Sequence, residues 1–164
     1  MKVEYINPFV ESVYDLFTTM LGCEAKRGDI SMTRKNDPPS QSVVAIIGLS
    51  GSVCGCVTMV FPARTAIHVA HRLLGCQIDE LNQDVMDAVS EMINIVAGGA
   101  KAKLNGDQDK PANLSLPTVI QGADYKIQHP SWSVWLDIPF ESQLGPFNLC
   151  VSIETDHARK GIAS

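Results

Sequence analysis

Asn82 to Leu104, NQDVMDAVSEMINIVAGGAKAKL, repeats with a helical period over its whole length, and this limits what the chain can fold into. At about 100° per residue, Val85, Met86, Val89, Met92, Ile93, Val96 and Ala100 fall on one side. An apolar stripe that wide has to be covered by another layer. Asp87, Glu91, Asn94, Gly98 and Lys101 fall on the opposite side. They are spaced i, i+4, i+7, i+11 and i+14, so they form one line along the helix. The small residues Ala88, Ser90, Ala97 and Ala102 border that line. Glu91 and Asn94 then stand out from a low surface that another protein can approach closely. The same pattern also describes the solvated face of an ordinary amphipathic helix.

The 164 residues are the length of one domain. A chain of that size buries roughly 70% of its unfolded surface, so it needs no disulfide staple. The net charge of -5, with no basic cluster, argues against nucleic acid as the main partner. The start, MKVEYINPFVES, lacks the apolar core of a secretory leader. No apolar run approaches the roughly 18 residues of a membrane span. The expectation is a cytoplasmic protein. The five cysteines, Cys23, Cys54, Cys56, Cys76 and Cys150, are odd in number and scattered, so in a reducing compartment they read as buried thiols. Cys54 and Cys56 alternate on one face of a strand-like run, which leaves a redox pair or metal site open.

Asn7-Pro8 reads as an N-cap and first turn, and Phe9, Val13, Leu16, Phe17 and Met20 give helical spacing up to Gly22. Residues 24–34 alternate loosely, as an edge strand does. Asn36 to Ser40 is a Pro-rich loop. Ser42–Ile47 and Gly51–Phe61 read as a hairpin turning at Gly48-Leu49-Ser50-Gly51. The second of these runs is apolar on both faces, as in a central strand covered on both sides. A second helix starts after Pro62. Its His68 and His71, spaced i, i+3, fit a metal pair or plain helix surface, and no Glu or Cys completes a ligand set nearby. A turn-rich stretch, 105–112, comes after the long helix. Leu114–Ile120 and Trp132–Phe140 read as strands, the first with Pro117 at an edge or bulge, and a last hairpin leads to Phe147–Ile153. The order of elements implies an α+β fold with one antiparallel-rich sheet and helices on a face.

The long helix and the chain beyond it resemble the CheX branch of the CheC/CheX/FliY family of phosphatases that act on phosphorylated CheY. The family signature is Asp or Ser, three residues, Glu, two residues, Asn, then twenty-two residues and Pro. Asp87, Glu91, Asn94 and Pro117 stand at that spacing. Glu4–Phe9, Phe17–Met20, Asn94–Lys101, Leu116–Ile120 and Ile138–Glu141 resemble other family segments, so the likeness covers residues 1–155 and leaves 156–164 as a polar tail. CheC-type members carry two Glu/Asn helices. The earlier helix here, Ala63 to Leu74, has no Glu-x-x-Asn, which favours the single-site CheX branch. The resemblance implies two long helices packed on one face of the sheet, and a homodimer.

It also implies a chemistry. A phosphorylated response regulator brings its own Mg²⁺ and a lysine, so the phosphatase needs no metal or cofactor of its own. What remains is to hold a water in line with the scissile bond. A carboxamide accepts from the water and donates to a phosphoryl oxygen without adding negative charge, which suits Asn94. In the family the Glu binds the partner's active-site lysine, and Glu91 is the matching position. Asp87, Gly98 and Lys101 then extend the partner-binding surface, with Pro117 a shape residue. Two readings compete with a phosphatase. One is a non-catalytic adaptor docking a receiver domain or motor protein through the same helix. The other is a small-molecule or metal sensor using His68, His71 or the cysteines.

Overall fold

In the computed structural model, residues 3–32, 41–105, 111–123, 127–128 and 133–154 are described. The Pro-rich segment 36–40, most of the turn-rich stretch 105–112, Trp132 and the tail lie outside them. Among these residues the α-helices are α1 (Asn7–Leu16), α2 (Ala63–Leu74) and α3 (Gln83–Asn105). The strands are β1 (Ala25–Arg27), β2 (Ser42–Gly51), β3 (Gly55–Pro62), β4 (Ala112–Leu114), β5 (Thr118–Gly122), β6 (Trp135–Ser142) and β7 (Phe147–Ile153). They form one antiparallel sheet in the order β1-β6-β7-β3-β2, and the far side of β2 pairs with both β4 and β5.

Alternation along the strands sends Val43, Ala45, Ile47, Val57, Met59, Phe61, Leu149 and Val151 to one face, where they join the buried side chains of the helices in one core. Phe147 lies at its centre, stacked with centroid distances of 4.9 Å to Phe17, 5.0 Å to Phe140 and 5.4 Å to Phe61. β3 is buried on both faces, Thr58 and Val60 included, as expected of a central strand. α3 packs against α1, against α2 and over β2 with its edge neighbours. The helices cover one face of the sheet as expected, with α2 added to α1 and α3, and α1 continues through a π-helical turn, Phe17–Leu21, before Gly22 ends it at φ 62°.

Several local readings are corrected. Asn7 does not cap α1. Ile6 holds that position, and its carbonyl accepts from Phe9 and Val10. A short 3₁₀ turn, Val3–Tyr5, runs straight into the helix, so Asn7 is already helical. The β2–β3 turn lies beyond Gly51, not at Gly48–Gly51. Gly48 pairs with Cys56 inside the ladder, and on its other side it donates to Ser115 Oγ at 2.9 Å while Ser115 N donates to its carbonyl at 3.0 Å. The true pinch is Gly55, where an added Cβ would overlap the Ser152 carbonyl. The strand expected at 24–34 is three residues plus a bridge between Ser31 and Asp137. The strand expected at 114–120 is two short ones. The break between them contains Pro117, which has no N–H for the ladder.

Candidate functional site

α3 begins where Asn82 Oδ1 accepts the Val85 amide at 3.1 Å, a cap on the first turn. Val85, Val89, Met92, Ile93, Val96 and Ala100 are fully buried. Each such Val, Ile or Met contributes about 1.5–3 kcal/mol by burial, which fixes the rotation of the helix about its axis. The opposite line is thereby turned outward. Asp87, Glu91 and Asn94 are exposed, and Gly98 and Lys101 are half-buried. Glu91 and Asn94 are i, i+3 neighbours, with Cβ atoms about 5–6 Å apart. Among the described residues, no hydrogen bond or ion pair engages either of them, while Asp87 accepts from Gln83 Nε2 at 2.9 Å. Gln83, one turn before Asp87, is the residue the motif did not reveal.

The small neighbours separate into two groups. Ala88 and Ala97, expected at the margin of the ridge, are buried at 2% and 0% exposure, because helices on α3's sides widen its buried arc. Gly98 and Gly99 differ as well. A Cβ on Gly98 meets nothing within 4 Å, whereas one on Gly99 comes within 2.8 Å of Ser12 Oγ. Gly99 therefore serves the contact with α1, and Gly98 opens the ridge. Pro117 sits at the sheet edge between β4 and β5, in a shaping position.

The other candidate sites do not assemble. Among the described residues, no three His, Cys, Asp or Glu side chains gather as metal ligands. His68 and His71 are exposed on α2, and a ring nitrogen of His68 lies 3.1 Å from the Leu144 carbonyl oxygen. Cys54 precedes β3 rather than sharing its face with Cys56. Cys23 is buried, and Cys76, read as buried, is exposed. Burial pushes the thiols of Cys56 and Cys23 up, against a hydrogen bond from Thr58 and the charge of Arg72 respectively. A cavity of about 160 Å³ lies on the sheet face away from the helices, lined by Met32, Thr58, Ile127, Trp135, Leu136, Asp137 and Cys150. It contains no ridge residue.

The reactive groups therefore stand on a convex helix and not in a cleft. A carboxylate and a carboxamide on a ridge enclose no small substrate. Such a ridge suits contact with another protein, and the fold is that of a single-domain α+β protein. The sequence pattern of the chemotaxis phosphatase CheX family matches residues 43–141, a span that includes Asp87, Glu91, Asn94 and Pro117. The chain belongs to the CheX family. It is 31% identical over 140 residues, 85% of its own length and 88% of the relative's, to the CheY-P phosphatase CheX of Thermotoga maritima. The crystal structure of chemotaxis protein CheX from Vibrio vulnificus superposes with a TM-score of 0.82 at 28% identity, covering 92% of this chain and 99% of that one. A CheC-like superfamily protein from a Shewanella species does so with a TM-score of 0.82 at 29% identity, covering 94% and 100%.

Proposed function

We propose that this protein is a phosphatase of a phosphorylated response regulator of the CheY type, and that α3 is the element it inserts into the partner's active site. The observation that carries this reading is the pair Glu91 and Asn94, side by side and exposed, their side chains without hydrogen bond or ion pair among the described residues, on the ridge of a CheX-family fold. The Thermotoga relative is named for the same activity. Asn94 accepts a hydrogen bond from the attacking water and holds it in line with the phosphorus. The water oxygen bonds to phosphorus as the bond to the aspartyl oxygen breaks. Inorganic phosphate leaves, and the partner keeps its carboxylate. Glu91 sets the docking register by binding the partner's lysine. Asp87, Gly98 and Lys101 lie along the docked face. The Mg²⁺ is the partner's, and this chain supplies none.

The protein works as a homodimer in the cytoplasm. Two observations support that setting. The outer edge of β5 is unpaired among the described residues and carries exposed apolar side chains, Ile120 at 39% and Leu116, just before it, at 88%. Such an edge accepts another strand. No helix among the described residues is long and apolar enough to cross a membrane.

The test is phosphate release from a phosphorylated CheY-type receiver with Mg²⁺, comparing wild type, Asn94→Ala and Glu91→Ala. Wild type accelerates release. Asn94→Ala loses about 100-fold, equivalent to about 2.7 kcal/mol of barrier, with unchanged circular dichroism. Normal release by folded Asn94→Ala would remove Asn94 from the mechanism. Binding of the phosphorylated receiver without faster release would make the protein an adaptor.

A further inference from the structure

Lys101 and Lys103 lie two residues apart on α3 and meet different surroundings. Lys103 turns toward α1, where its ammonium is 3.2 Å from Glu11 and 3.1 Å from Asp15. Lys101 lies on the ridge line, and among the described residues no hydrogen bond or ion pair engages it. Among the described residues the fold thus neutralises one cation and leaves the other without a partner, two helical turns beyond Asn94 on the same line.

Helix geometry sets where that free charge falls. Seven residues separate Asn94 from Lys101, an axial rise of about 10.5 Å with only about 20° of net rotation. Helical side chains lean toward the N-terminus, and an extended lysine stem spans about 6 Å. The ammonium can therefore come within about one helical turn of Asn94. The path runs over Gly98, which has no side chain and nothing within 4 Å of the place a Cβ would take. From this geometry we infer that Lys101, reaching across Gly98, is the cation this chain contributes to the docked phosphoryl group.

This inference rests on the phosphatase reading and gives the ridge an electrical direction. Asp87 and Glu91 make its N-terminal half acidic, which by itself repels a phosphoryl dianion. Glu91 also draws on the partner's lysine, a cation that otherwise serves the phosphoryl oxygens. Lys101 replaces that charge from the other side of Asn94. The lysine makes no covalent bond and transfers no proton. It donates hydrogen bonds to oxygens whose negative charge is spread in the transition state.

The experiment measures phosphate release at saturating enzyme for wild type, Lys101→Ala, Lys101→Arg and Lys101→Glu. It also measures affinity for a receiver with and without a beryllium trifluoride group on its aspartate. Lys101→Ala is expected to slow release about tenfold, Lys101→Arg to keep most of it, and Lys101→Glu to lose more than Lys101→Ala. Affinity for the beryllium trifluoride form falls while that for the bare receiver holds. Lys103→Ala, which loses a structural ion pair, leaves the rate unchanged. Wild-type rates in Lys101→Ala, or equal weakening toward both receiver forms, would overturn this role while leaving the phosphatase reading standing. No acceleration by wild type overturns both.

Discussion

Replacing Gly98 by alanine adds a methyl group to open surface, since nothing lies within 4 Å of its position. The gain is helix propensity, about 0.8–1.0 kcal/mol, which for a domain of this size raises Tm by about 2–4 °C. The same change at Gly99 places the methyl 2.8 Å from Ser12 Oγ and 3.2 Å from Ser12 Cβ. Ser12 cannot turn aside freely, because it is buried at 4% exposure and its hydroxyl donates to the Pro8 carbonyl at 2.7 Å. Overpacking there costs about 1–3 kcal/mol, and loss of the hydrogen bond costs about 1 kcal/mol more. Set against the propensity gain, the net is a loss of about 1–3 kcal/mol and a Tm lower by about 2–12 °C. Thermal unfolding of both variants by circular dichroism reads the difference directly. Ser12→Ala added to Gly99→Ala recovers part of the loss, because it removes Oγ and keeps Cβ. Equal stabilisation by both glycine substitutions would refute the reasoning and leave helix propensity as the only term. Phosphate release should move the opposite way from stability for Gly98→Ala, the fold gaining while the methyl crowds the docked face.

Two further outcomes rest on titratable groups. Burial works against the Lys103 ammonium, but the carboxylates of Asp15 and Glu11, which accept its hydrogen bonds and carry the opposite charge, outweigh it and hold its pKa above the usual lysine value. Its contribution to stability is therefore complete below a pH of about 10.4 and is lost as pH rises through the higher folded value. The partners are largely solvated, with side-chain exposures of 59% and 69%, so the pair is worth about 0.5 kcal/mol. Lys103→Met should lower Tm by about 1–2 °C at neutral pH, and the difference should shrink in 1 M salt. With a disulfide reagent on the native protein, Cys76 should react first. Cys56, half-buried and with its thiol pushed up by burial, should react more slowly, and the buried Cys23 only on unfolding. Labelling of Cys23 as fast as Cys76 would show that the core around it opens.

The period of α3 was legible because it is a local property. Val85, Val89, Met92, Ile93, Val96 and Ala100 face the core, and Asp87, Glu91 and Asn94 face out, as their spacing predicts. Local signals misled where a distant residue decided the matter. Gly48 looks like a turn residue, yet it stays in β2 because Ser115, far along the chain, supplies hydrogen bonds from the edge. Asn7 looks like a cap, yet the chain is already helical when it arrives. Cys76 looks like another interior thiol, yet it comes just after the Gly75 that ends α2 and points to solvent.

The sequence by itself determined the order and type of the main elements and the spacing that lines up Asp87, Glu91, Asn94, Gly98 and Lys101. A helical period of 3.6 residues needs no neighbour to be read. Only the tertiary structure decided that this line stays uncovered when α1, α2 and the sheet pack against the same helix. Only it separated Gly98 from Gly99 and Lys101 from Lys103. In each pair one member faces α1 and the other faces out. The reason is physical: periodicity assigns a residue to a face, but which faces are filled depends on side chains such as Ser12, Glu11 and Asp15, brought up by the chain from more than 80 residues away.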